Sequence, residues 1–132
     1  MMSIGLAKQL RDLGLRWSPA AGDRFVVADR DMDEHVLVIA EMVIEVDEVP
    51  TGRLIRFNGT TEWALDSIRE EDAVWLPRES PSRESLGDHF QSLARVDGGF
   101  RVRTTVNGVD RAVEHPDAEQ AFGLALLDVL AG

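Results

Sequence analysis

Apolar residues recur at helical spacing over residues 3–14: Leu6, Leu10 and Leu13, with Ala7 beside them. That period predicts a helix. Ser3 stands where an N-cap belongs, and Gly14 stands where the helix must stop. Trp17, Ser18 and Pro19 then predict an extended connection, and Ala21-Gly22-Asp23 a turn. Residues 24–28 carry Phe25, Val26 and Val27 and predict a short strand. Residues 35–46 are almost continuously apolar, which fits either a buried strand or a buried helix. The β-branched content of Val36, Val38, Ile39, Val43, Ile44 and Val46 decides for a strand, with a bulge or break near Ala40-Glu41. Pro50-Thr51-Gly52 predicts a turn, and residues 53–57 return as the next strand. Asn58-Gly59 breaks that strand. Thr60 or Thr61 then caps a short helix bearing Trp63, Ala64, Leu65 and Ile68, and residues 73–76 form an extended piece before Pro77.

The second half carries stronger punctuation. Ser80 or Ser82 caps a helix running to about Phe90. A three-stranded meander follows over residues 93–96, 100–105 and 109–113. Its turns are Asp97-Gly98-Gly99 and Asn107-Gly108, the residues that tolerate positive φ in tight hairpins. In the central strand Phe100, Val102, Thr104 and Val106 alternate with Arg101, Arg103 and Thr105, so one face is core and one is wet. The last helix runs from about Pro116 to Leu130. Its stripe is Ala118, Ala121, Phe122, Ala125, Leu126, Val129 and Leu130.

The expected fold class is therefore α+β: antiparallel sheet, in two three-stranded meanders, with helices packed on it. The order helix, three strands, helix occurs twice. A single domain over 1–132 is expected, with 1–77 and 78–132 as candidate halves of an α-βββ-α pseudo-repeat. Ser80-Pro81-Ser82 is the only candidate linker, and it is too short to separate independent domains.

Composition narrows the function. The 132 residues are 44% apolar and 29% charged, enough apolar content to build a core and disfavour disorder. Asp plus Glu is 24 against Lys plus Arg 14, a net charge of −10. Such a chain repels duplex nucleic acid and anionic membrane surfaces at long range, so neither is expected as a partner. No apolar run reaches membrane-span length and the start lacks a signal-peptide pattern, so a cytoplasmic protein is expected. There is no cysteine, which excludes disulfides, thiol catalysis and cysteine-ligated metals. Lys8 is the only lysine, and no phosphate loop ending in Gly-Lys is present.

Three groups are candidates for chemistry. The loop Asp29-Arg30-Asp31-Met32-Asp33-Glu34-His35 offers Asp29, Asp31, Asp33 and His35 as hard-cation ligands. It opens like a calcium loop, but position six is Glu34 where that motif needs Gly, and position twelve is Ala40 where it needs Glu. A solvated hairpin loop is the simpler reading. Trp63 and Trp75, with Arg53, Arg56 and Asn58 as polar groups, are candidates for a small ligand cleft, against the plainer reading of tryptophans in a core. The histidines His35, His89 and His115 have no zinc-type local spacing, and no nucleophile elbow is present. No cofactor is expected.

Two resemblances complete the reading. Gly22-Asp23-Arg24-Phe25, the acidic loop to Asp33, the run from Arg56-Phe57-Asn58-Gly59 through Ser67, and Trp75-Leu76-Pro77-Arg78-Glu79 resemble a family of short proteins from high-GC bacteria. Its members are often labelled pilus-assembly proteins, a label borrowed from a longer ATPase whose phosphate loop this chain lacks. Residues 75–132 are similar in plan to small phage and bacterial α-β-α sandwich domains, which implies a fold and no activity. The first functional expectation is a non-enzymatic protein-interaction or accessory module that forms a homo-oligomer, specifically a homodimer. Two others stand beside it. One is a metal-dependent hydrolase or metal-binding protein using the Asp29–His35 residues. The other is an acidic mimic or immunity-type protein that neutralises a basic partner.

Overall fold

A computed structural model describes residues 1–27, 36–39, 43–50, 52–58, 67–69 and 72–132. The chain is α+β, and its contacts divide it into two compact units. One unit joins Met1–Arg16 to Leu76–Gly132; the other is Trp17–Trp75.

The first unit is built on α3 (Ala118–Ala131). Its Ala121, Phe122, Ala125 and Leu126 are buried, as the stripe in the sequence predicts, and Gly123 is buried beside them. Asp117 caps this helix: Oδ1 accepts from the amides of Glu119 at 2.8 Å and Gln120 at 3.3 Å. Pro116 therefore precedes the cap and is not the first helical residue. Helix α1 (Ile4–Asp12) packs on α3 through Met2 and Leu6, with Gly123 as the point of closest approach. Ser3 caps α1 through Leu6, as expected, and Gly14 follows it at φ 96°.

Helix α2 (Glu79–Leu86) corrects one expectation. It begins before either serine, with Arg78 at the cap position and no side-chain cap, and it ends before Phe90. Ser80-Pro81-Ser82 is thus its first turn and not a linker. Proline is accepted there because first-turn amides have no intrahelical acceptor to lose. Ser82 is fully buried. A single 3-10 turn, Gly87–His89, follows it.

Strands β7 (Phe90–Val96), β8 (Gly99–Val106) and β9 (Val109–His115) form an antiparallel sheet in that order. Asn107 (φ 51°) and Gly108 (φ 78°) form the two-residue turn that the sequence predicts, both central residues having positive φ. Helix α3 packs against β8 and β9. Val102, Thr104 and Val106 of β8 are buried on that side.

The second unit holds β1 (Arg24–Val27), β2 (Leu37–Val38), β3 (Val43–Val49), β4 (Gly52–Asn58), β5 (Ser67–Arg69) and nearly all of β6 (Ala73–Leu76). The single meander expected here is instead two three-stranded sheets, ordered β2-β1-β6 and β3-β4-β5. The apolar run over residues 35–46 supplies one strand to each. β3 lies antiparallel to β4, with Val46 opposite Ile55 and Glu48 opposite Arg53. The helix expected after Asn58 is also corrected where it can be read. Ile68 lies in β5, opposite Ile55 of β4, while residues 59–66 lie outside the described residues. The core of this unit is Trp17, Phe25, Val27, Ile39, Ile55 and Ala73, with Leu37 and Trp75 packed against it. Among the described residues, no helix is long and apolar enough to cross a membrane.

Candidate functional site

The expected metal ligands Asp29, Asp31, Asp33 and His35 lie outside the described residues, as does Trp63. Among the described residues, no group of three or more His, Asp or Glu side chains converges as a metal site. Of the expected cleft, Arg53 is half-buried in β4 opposite Glu48, and Arg56 and Asn58 follow on the same strand opposite Glu45 and Val43. Trp75 lies in β6, in the other sheet of that unit.

Trp75 is half-buried and stacks on Trp17, with ring centroids 6.2 Å apart and planes 12° from parallel. Trp17 meets Phe25 at 5.6 Å. The carboxylate of Asp23 fixes this cluster. It is only 8% exposed, and its Oδ2 accepts from Trp17 Nε1 at 2.8 Å and from the Ala20 amide at 3.0 Å. One buried oxygen thus ties a turn to an indole, as a buried carboxylate requires. Trp75 Nε1 is buried and has no hydrogen-bond partner among the described residues.

The histidines of the first unit serve the backbone. His89 Nδ1 lies 3.0 Å from the Thr105 carbonyl, and His115 Nδ1 accepts the Asp117 amide at 2.9 Å. The second bond places the neutral ring's proton on Nε2.

An open arrangement is found on the face of the β7–β9 sheet turned away from α3. Register and alternation place Arg101, Arg103 and Thr105 along its centre. Ser92 and Ala94 of β7 flank them on one side, and Asp110, Ala112 and Glu114 of β9 on the other. Two cross-strand pairs are satisfied: Arg101 lies 3.5 Å from Glu114, and Thr105 Oγ1 donates to Asp110 Oδ1 at 2.9 Å. Arg103 differs. It sits between Ser92 and Ala112, is exposed, and has no hydrogen-bond or ion-pair partner among the described residues.

Gln91, Ser92, Arg103, Thr104 and Asp110 line a depression of 240 Å³ there. A β-bulge forms one rim, because pairing slips between Phe90 and Ser92. Bulges of this kind turn side chains out of the regular row.

Family models, curated proteins and solved structures were compared with the chain, and none matches.

The sequence pattern marked the wet face of β8 but did not single out Arg103. The alternation was visible; the two small neighbours become visible only once the register of β7 and β9 is known.

Proposed function

We propose that the chain is a non-enzymatic protein-interaction module and that the outer face of the β7–β9 sheet is its working surface. The observation that supports this reading is an uncovered sheet face, exposed along Arg103, Asp110, Ala112 and Glu114, whose small residues let a partner approach the backbone. Side chains on such a face are held by strands and not by a loop, so a partner meets a preorganised surface. The shallow depression suits surface recognition: enclosed small-molecule pockets run to roughly 300–1,000 Å³.

The test is site-specific photo-crosslinking in the cell of origin. A benzophenone amino acid replaces Ala112 on the outer face in one variant and Glu84 of α2 in another; both positions are exposed. A discrete protein adduct from position 112 and none from 84 is the expected result. Identical patterns, or no adduct at 112, refute the reading.

A further inference from the structure

We infer that the partner presents carboxylates on an extended segment, and that Arg103 is their anchor. This rests on the interaction-module reading. A guanidinium offers five donors in a planar fork that matches a carboxylate. Here that fork is exposed and has no partner among the described residues, with Ser92 and Ala112 too small to cover it. Gln91 and Ser92 add an amide and a hydroxyl on the rim of the same depression.

The second feature is spacing. Arg101 and Arg103 are two residues apart on one strand, so they share a face about 7 Å apart. Alternate side chains of an extended peptide repeat at that same distance. Arg101 already holds Glu114 at 3.5 Å, but the two side chains are 40% and 54% exposed, and such pairs exchange readily. Acidic residues at alternate positions of a segment lying along β8 would therefore meet Arg103 first and Arg101 second.

Two objections can be weighed. The net charge of −10 repels anions at long range, but that field is screened within about 10 Å at ordinary salt, whereas the guanidinium acts at contact. Asp110, on the rim, has its Oδ1 engaged by Thr105.

The test is a nitrogen–proton NMR titration of the full chain with a blocked peptide, acetyl-Ser-Glu-Ser-Glu-Ser-amide. Two controls are the same peptide with glutamine for glutamate, and acetate at equal carboxylate concentration. The expected result is saturable shifts at Ser92, Arg103 and Thr104 with the glutamate peptide alone, at peptide concentrations on the order of a millimolar. Arg103→Gln should weaken the response about tenfold with the rest of the spectrum unchanged. Arg103→Lys, which keeps the charge and loses the fork, should fall between. Shifts that survive Arg103→Gln, that appear equally with the glutamine peptide, or that acetate reproduces would overturn the proposal. So would no shift at all. The crosslink from position 112 is read separately, so an adduct there without a peptide response would overturn the acidic occupant and leave the interaction-module reading intact.

Discussion

Replacing Asp23 with alanine tests whether one buried carboxylate organises the aromatic core of the second unit. Its Oδ2 accepts from Trp17 Nε1 at 2.8 Å and from the Ala20 amide at 3.0 Å, and the residue is 8% exposed. Removing it leaves two donors without that acceptor. Ala20 is exposed, so water can take its amide at little cost. Trp17 is 4% exposed, and its indole N–H has no such recourse. A buried orphan donor costs about 1–3 kcal/mol, and the lost bond was to a charged acceptor, itself worth about 1.5–3 kcal/mol. These describe largely the same loss, so Asp23→Ala should destabilise by about 2–3 kcal/mol. Asp23→Asn keeps an acceptor oxygen and should lose only about 1 kcal/mol. Urea unfolding followed by near-ultraviolet circular dichroism is the assay, since the chain has three tryptophans and no tyrosine. The Trp17–Trp75 stack should weaken in the same spectrum. In a Trp17→Phe background the donor is gone, so the penalty for losing Asp23 should shrink by about 1–3 kcal/mol. An Asp23→Ala variant within 0.5 kcal/mol of the parent, or a full penalty in the Trp17→Phe background, would refute the reasoning.

Phe122→Ala should cost about 3–5 kcal/mol in the same denaturation assay. The ring is fully buried, 5.9 Å from the Phe90 ring and 5.8 Å from the Arg83 guanidinium, so no neighbour can close the cavity without leaving its own contacts. Gly99→Ala should disrupt the pairing of β8 with the end of β9, since a methyl group would overlap the His115 carbonyl oxygen and lie 2.6 Å from Pro116 Cα, both backbone atoms. Loss of amide-exchange protection along β9 is the readout. With Met1 as the N-terminal residue, its ammonium lies against Asp117 and 3.5 Å from Glu119. The hydrogen bond from that ammonium holds the Asp117 carboxyl below its usual value of 3.8, and the same bond raises the amine above 8.0. The carboxylate's contribution to stability is therefore present above pH 3.8 and lost as pH falls through its lower folded value. The amine's is present below pH 8.0 and lost as pH rises through its raised folded value. Both groups face solvent, so the pair is worth at most about 1 kcal/mol. The stability gap between parent and Asp117→Asn should be widest near pH 6 and narrow toward both extremes.

What was legible in the sequence was local. The Ser3 cap, the Asn107-Gly108 turn and the stripe of α3 each depend on residues within one or two turns of each other, and each is where the pattern placed it. What was not legible depended on distant partners. Nothing inside the apolar run at residues 35–46 says that its two ends enter different sheets. That appears only in the pairing, which sets Val43–Val49 along β4 and Leu37 opposite Phe25 of β1. The neighbours of Ile68 favour a helix, and its pairing with Ile55 overrides that preference. At α2 the serines resemble caps, yet Pro81 is the better marker, because proline within a helix belongs in its first turn.

The same logic explains why the sequence directed attention to the acidic loop and the tryptophans instead of Arg103. Motif reading rewards residues that are adjacent in the chain, such as alternating aspartates. The site proposed here is assembled from three strands. It is defined by what stands beside Arg103 across two strands, a serine at position 92 and an alanine at position 112, and neither is remarkable in sequence. Arg101 and Arg103 have the same charge and the same strand, yet register gives one a glutamate partner and the other none among the described residues. A charge left unpaired on a rigid, uncovered sheet is a more specific signal than an excess of charge. The first constrains where a partner's carboxylate must sit, whereas the second only sets the sign of the long-range field.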